Sequence, residues 1–325
     1  MASLKETKGR IASVKSTLKI TSAMKMVASA KLHRAQSAIE NMLPYELQLQ
    51  DMLRLLLACS GRYDACAGSS GGGSGVQTRA TLGNVRGGTM SGANGGVERS
   101  ETVCTPLTAN GQRIAVVAFS SNSSLCGGFN GNVIRETKAR VAQIEKEGGR
   151  VEVFAVGRKI AESMKKAGYP SETDLSDLVA HSSYASASEF ADTLIQAFNE
   201  GRFSRVEFIY NHFVSTATQK VVNEQFLPMT VEGGTSDDTS IPEDIILEPS
   251  AEELMETLLP RVQKLKVYTV ILDSLAAEHA ARTVAMQTAT DNGNNILQEL
   301  TLEYNKGRQQ KITSEILDIV GGSMQ

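Results

Sequence analysis

The residues with the most chemical promise lie in one run, Ser120-Ser121-Asn122-Ser123-Ser124-Leu125-Cys126-Gly127-Gly128-Phe129-Asn130. It follows an apolar stretch at 114–119 that reads as a buried strand and precedes a helical pattern, the place where α/β proteins bind phosphates. Hydroxyls, a thiol and paired glycines could cradle an anion or carry a nucleophile. The run has neither G-x-G-x-x-G nor G-x-x-x-x-G-K-[ST], however, and no basic residue. A Gly-Gly turn for close strand–helix packing accounts for the same residues. Cys126 has no histidine at a signature distance, His181 and His212 included, and no Ser-His-Asp set or paired carboxylates stand out. The four cysteines (Cys59, Cys66, Cys104, Cys126) match neither a CxxC pair nor a zinc spacing, so reduced thiols and no metal or cofactor are expected.

The elements that hold this run follow two periods. Ile11, Val14, Leu18, Thr21, Lys25, Ala28, Leu32, Ala35, Ile39 and Met42 alternate steps of three and four, and the register continues through Glu46, Leu49, Leu53 and Leu56. Stepping at 3.5 residues marks a left-handed coiled-coil seam, which needs a partner helix. One helix from Ser3 to about Ala58 is expected, roughly 84 Å long at ~1.5 Å per residue. Ser3 and Glu6 form its capping box, and Pro44 should kink it without ending it, since the phase is the same on both sides. A second capping box, Ser250 with Glu253, opens a C-terminal helix to about Val320, roughly 105 Å if continuous. Its expected seam is Met286, Ala289, Gly293, Ile296, Leu300 and Tyr304, and Pro260 should bend its first turns. Helices average about 11–12 residues, so two of this length predict each other as partners. Residues 1–40 carry eight Lys/Arg and two acids, and 273–325 carry four and seven, which favours antiparallel pairing. Surface ion pairs contribute only about 0–1 kcal/mol each, so the seam must supply most of the stability.

Between the two ends, 114–119, 151–156 and 206–210 read as buried strands. Helices are expected at 131–147, 158–167 and 186–199, and an edge segment at 213–226. The fold class is therefore α/β: a long antiparallel coiled coil of N- and C-terminal helices plus a central, mainly parallel, Rossmann-like α/β domain. The expected divisions are 1–60 (helix), 61–112 (Gly-rich flexible linker), 113–226 (α/β domain), 227–249 (flexible loop) and 250–325 (helix).

Tryptophan is absent and aromatics make up 5%, which suits thin helices better than an aromatic-lined pocket. No apolar run could span a bilayer. Residues 7–35 resemble a mitochondrial presequence in composition, but the heptad register runs through them, so they read as mature protein. The basic N-terminal helix lacks the interleaved aromatics of a single-strand binder, and nucleic acid is not an expected partner. A rod built from both termini around a globular body suggests a mechanical part. Its rivals are an α/β nucleotide-binding enzyme with helical dimerisation arms and a coiled-coil adaptor on anionic membranes.

Three ordered motifs resemble the gamma subunit of F-type ATP synthases: Ile11-Ala-Ser-Val-x-x-Thr-x-Lys-Ile-Thr-x-Ala-Met-Lys-Met-Val-Ala-x-Ala-Lys31; Leu125-Cys-Gly-Gly-Phe-Asn130; and Glu278-x-Ala-Ala-Arg282-x-x-Ala-Met286, Ala289-Thr-Asp-Asn-Gly293, Tyr304-Asn-Lys-x-Arg308-Gln309-x-x-Ile312-Thr313-x-Glu315-Ile316. The resemblance covers nearly the whole chain except 61–111. It implies a coiled coil standing inside a hexameric collar of alternating α and β subunits. The α/β body would lie against the c-ring and the epsilon subunit, in a complex that also holds delta. Ion flow would turn ring and shaft, and ATP would be made on the collar, so the chain itself is expected to be non-catalytic. Membrane contact would come only through the complex.

Carried over position by position, the resemblance places Met24 and Lys25 at a mobile β-subunit lever. Arg308, Gln309 and Thr313 would meet a β-subunit catch loop, and Arg282 and Gln287 the opposing part of the same region. Ile316, Leu317, Ile319 and Val320 would sit in an apolar bearing, and Ile245, Leu247 and Glu248 at the foot on the c-ring and epsilon. Ile245 and Leu247 stand where relatives often present tyrosines. Cys59 and Cys66 lie in the wrong segment for the thiol switch of the chloroplast forms. Met1 at the family's usual start points to a bacterial enzyme, peripheral on the cytoplasmic face of the inner membrane.

Overall fold

Two helices made from opposite ends of the chain run antiparallel and bury their seams in each other. The computed structural model describes residues 4–67, 100–102, 113–171, 173–232, 247, 248 and 250–323. Its elements are α1 (Leu4–Ala67), β1 (Ser100–Thr102), β2 (Arg113–Phe119), α2 (Phe129–Lys146), β3 (Arg150–Val156), α3 (Arg158–Lys166), α4 (Ser176–Ala180), α5 (Tyr184–Asn199), β4 (Arg205–Phe213), β5 (Gln219–Leu227), β6 (Thr230–Glu232) and α6 (Ala251–Ser323).

Every α1 residue of the expected register, from Ile11 to Leu56, is buried or half-buried, whereas most of its neighbours on the helix are exposed. The seam is apolar below, where Leu49 and Leu53 meet Val262 and Leu265, and Leu32 meets Ala276 and Ala280. Higher up it narrows. A Cβ on Gly293 would lie 2.7 Å from Leu18 Cδ2, and one on Gly307 3.2 Å from Leu4 Cδ2, so each leucine sits where the facing helix has no side chain. On α6 the seam runs through Met286, Thr290, Gly293, Leu297, Leu300, Tyr304 and Gly307. The expected Ile296 is 48% exposed, and the row one residue further on faces α1 in its place. The helices are antiparallel, the orientation that their opposite charges favour, and the charge of Lys31 reaches Glu278 of α6, but the close ion pairs of described α1 residues, Arg10 with Glu6 and Arg54 with Asp51, stay within α1.

Both helices exceed their expected limits. α1 passes Pro44 and runs on to Ala67; Gly61 alone costs a helix only about 1 kcal/mol. α6 passes Pro260 and ends at Ser323, and its amide at Glu253 is capped by Ser250 Oγ at 3.2 Å. The capping box at Ser3 lies outside the described residues. So do 68–99 and 103–112 of the expected linker and 233–246 of the expected loop. Within the expected linker, residues 100–102 form β1, which pairs antiparallel with β6 at the start of the expected loop, Ser100 opposite Glu232.

The body is a four-stranded sheet in the order β3-β2-β4-β5, with β2 parallel to β3 and β4, and β5 antiparallel to β4 at the edge. Alternate residues of β2 face opposite ways. Ala115, Val117 and Phe119 join α5 and the Val267–Ile271 part of α6, while Ile114, Val116 and Ala118 join α2 and α3. Because α6 itself covers one face, the lower rod is part of the body's core. In the middle of β4, Glu207 is buried and takes a two-pronged bond from Arg140, at 2.6 and 2.7 Å. Burial alone would raise its pKa; the bond and charge of Arg140 outweigh that and hold it below the usual carboxylate range.

Three substitutions have defined outcomes for the purified chain in thermal or urea unfolding. Gly293→Leu should lower stability by about 1–3 kcal/mol through overpacking against Leu18, whereas Gly9→Ala, whose Cβ meets nothing within 4 Å, should raise it by ~0.5–1 kcal/mol. Arg140→Ala leaves the buried carboxylate only the longer contacts of Arg205 at 3.5 Å and Asn223 at 3.4 Å and should cost roughly 3 kcal/mol near neutral pH. Since Glu207 has a depressed folded pKa, its contribution is present above the unfolded carboxylate value. It is lost as pH falls through the folded one, so the deficit of the variant should shrink below about pH 4.

Candidate functional site

The run 120–130 joins β2 to α2 and is closed by its own groups. Ser121 N donates to Asn130 Oδ1 at 3.0 Å, and Asn130 Nδ2 lies 2.8 Å from Ser121 Oγ and 3.1 Å from Cys126 Sγ. The first amides of α3 are the donors that a phosphate would use at a helix N-terminus. They are already taken: Arg158 N by Asn122 Oδ1 (3.0 Å), Lys159 N by Ser121 O (3.3 Å) and Ile160 N by Ser120 Oγ (3.0 Å). Gly157, at φ +104°, makes this closure possible, because a Cβ there would fall 2.2 Å from the Ser120 carbonyl oxygen. A neighbouring cleft of about 200 Å³, lined by Gly127, Gly128, Asn132 and Ala285 among others, has no charged lining residue. Small-molecule sites usually measure ~300–1,000 Å³. His212 is turned away from Cys126, with Nδ1 2.6 Å from Asp273 Oδ2. Among the described residues no group of three or more His, Cys, Asp or Glu could hold a metal ion.

The run grips α6. Cys126 and Phe129 pack on Ala277 and Ala281, and Arg282 Nη2 donates to Ser123 Oγ at 2.7 Å while Nη1 donates to Glu278 Oε1 at 2.7 Å. Asp273 accepts the Phe213 amide at 2.9 Å. Lower down, Lys264 pairs with Asp192 and Lys266 with Glu224, each at 2.8 Å. Burial raises the Glu278 pKa against the pull of Arg282 and Lys31. Burial also pushes His279 down to about 4, helped by the same two cations, so its ring is neutral at pH 7.

Above the body the rod has a polar layer. Lys25 Nζ donates across the seam to Gln287 Oε1, and Gln287 Nε2 donates to both Asp291 carboxylate oxygens at 2.8 and 2.9 Å. The Thr21 and Thr290 hydroxyls bond at 3.0 Å. The side of α1 away from the seam shows Ile20, Met24, Met26 and Val27 to solvent. α6 extends past the level of Leu4, where the described part of α1 begins. There Arg308, Gln309 and Thr313 are exposed, and so are Ile316, Leu317, Ile319 and Val320, at 47–71%. At the foot, Leu247 is half-buried and Glu248 exposed; Ile245 lies outside the described residues. Most residues expected to meet partners thus lie on open rod surface. Lys25 and Gln287 are half-buried and bonded to each other, and Arg282, its side chain 13% exposed, is engaged with the body. No local pattern marks Ser123 or Asp273 as its counterparts in holding the body, since Ser123 and Arg282 stand 159 residues apart.

No helix among the described residues is long and apolar enough to cross a membrane. Compared with known proteins, the chain matches the ATP synthase family over residues 3–324. It is 46% identical to the ATP synthase gamma chain of Phocaeicola vulgatus and 44% identical to that of Bacteroides fragilis strain ATCC 25285, each over 100% of both chains. Among solved structures, a chain of the Tetrahymena thermophila mitochondrial ATP synthase central stalk and c-ring aligns over 83% of this chain and 99% of its own. That alignment has 17% identity and a TM-score of 0.49. The family match and the full-length identity to these relatives decide the assignment: the chain belongs to the ATP synthase gamma-chain family.

Proposed function

We propose that the chain is the central rotor shaft of its complex, coupling ion-driven rotation of a c-ring to conformational changes of catalytic β subunits. As a gamma chain it is a subunit of an ATP synthase and not the catalytic one. The single observation that carries the mechanism is the rod: two helices from opposite termini, one extending past the described part of the other with apolar side chains bare. A shaft needs no reactive group. It needs a surface that differs from side to side, so that each orientation favours a different state of the subunits around it.

The collar contacts follow from exposure. Met24, with Lys25 and Gln287 behind it in the polar layer, faces the β-subunit lever, and Arg308, Gln309 and Thr313 meet the catch loop. Ile316, Leu317, Ile319 and Val320 turn in the apolar bearing formed by the α and β subunits. Leu247, Glu248 and Ile245 form the foot on the c-ring and the epsilon subunit, with delta elsewhere in the complex. The protein is held peripherally on the cytoplasmic face of a bacterial inner membrane through these partners.

The reading is tested by supplying the chain to membranes whose ATP synthase lacks its own gamma chain. Restored gradient-driven ATP synthesis is expected. Failure to restore it, together with micromolar binding of ATP, ADP or NAD to the isolated chain by calorimetry, would replace the shaft with an enzyme. In restored membranes Arg308→Ala/Gln309→Ala should lower synthesis by roughly fivefold, the equivalent of about 1 kcal/mol, with the amount of assembled complex unchanged. Normal turnover by the assembled variant would remove the catch contact from these two residues.

A further inference from the structure

Of the expected collar contacts, Lys25 and Gln287 join the two helices to each other, and Arg282 joins the shaft to the body. Its guanidinium fork spans two elements, Nη1 on Glu278 of α6 itself and Nη2 on Ser123 of the body, both at 2.7 Å. Glu278 is 5% exposed as a residue, so the arginine also neutralises a carboxylate that has no other side-chain cation bonded to it among the described residues. The position along the rod matters as much as the bonds. Among the described contacts, none joins the body to α6 above Ala285, which lies 3.7 Å from where a Cβ on Gly127 would stand. From Met286 to Gly307 the seam of α6 faces α1 alone.

We propose that Arg282 is a positioning residue: the upper clasp through which the α/β body braces the shaft, and not a contact with the collar. The proposal rests on the shaft reading above. With the clasp closed, the unbraced two-helix part of the rod runs from 286 to 307, roughly 33 Å at ~1.5 Å per residue. Opening it leaves the Asp273 bonds as the next polar brace, which adds roughly 18 Å of coil held to the body only by small apolar contacts. For a given torque, twist grows with unbraced length. A longer free shaft therefore delivers the turn of the foot to the collar late, and a nucleotide site opens without its full share of rotation. Two bonds of fixed geometry make arginine the fitting residue. Lysine could keep the charge beside Glu278 but could not hold both arms at once.

The test uses the assembled complex in membrane vesicles and reads gradient-driven ATP synthesis and ATP hydrolysis on the same preparation. Ser123→Ala removes one hydroxyl, and Arg282→Lys keeps the charge. Both should lower the synthesis-to-hydrolysis ratio about fivefold, near the lower end of what a lost coupling contact produces. The double variant should fall no further, because both changes open the same bond. Arg282→Gln strands Glu278, so it is made together with Glu278→Gln, and the pair should show the same ratio. If Ser123→Ala is silent while Arg282→Lys is impaired, Arg282 acts through another subunit and the clasp is overturned. Equal loss of synthesis, hydrolysis and assembly in all variants would make it a folding contact only. If the unaltered chain restores no synthesis, the shaft reading falls and the clasp with it.

Discussion

Everything in this fold depends on α1 burying its stripe against α6. A helix with one apolar stripe must bury it, and here the first element does so mainly against the last, with Phe213 and Met229 of the body closing the lower seam. The remaining chain is therefore an excursion that leaves the rod near one end and returns to it, and the body must sit to one side of the axis. The closeness of the pair follows from which side chains are missing as much as from which are present. Gly293 and Gly307 receive Leu18 and Leu4, and the polar layer of Lys25, Gln287 and Thr290 interrupts an apolar seam that could otherwise slip by a heptad. A polar group at a seam position costs stability and specifies register.

Legibility in the sequence tracked how local the determining forces were. The α1 seam could be read residue by residue because a 3.5-residue period needs only the helix that carries it. On α6 two interleaved rows, one through Ala289 and Ile296 and one through Thr290 and Leu297, satisfy the same rule. Only the position of α1 selects the second. The three parallel strands and their helices were visible as short apolar runs ended by glycine. α4 was missed because five residues leave almost no period, and the β1–β6 pairing because its two strands are over a hundred residues apart. Arg282 shows a subtler limit. A motif can place a residue on the right turn of the right helix without saying which way its side chain points, and that is settled by a serine hydroxyl far away in the chain.

The body and the rod solve the problem of buried charge differently. Glu207 is clamped by Arg140 from a neighbouring helix and stays ionised, which stiffens the sheet where β4 carries the weight of both layers. Glu278 is desolvated enough that its carboxyl is pushed up even beside Arg282 and Lys31. The junction between body and shaft is thus held by a less comfortable ion than the centre of the sheet, and it depends on the arginine arm staying in place.

The pairing of first and last elements also dictates an order of events on the ribosome. At ~5–20 residues per second the stripe of α1 is exposed for about 15–60 s before the residues that cover it have been made. During that interval the sheet can close the face covered by α2 and α3, while its other face also waits for α6. What waits is a long amphipathic helix whose upper half is strongly basic, and the charges on its outer face keep nascent chains apart until the carboxyl end arrives. The excess of lysine and arginine at the amino end, which makes no ion pair with α6 among the described residues, leaves that helix strongly cationic throughout the wait.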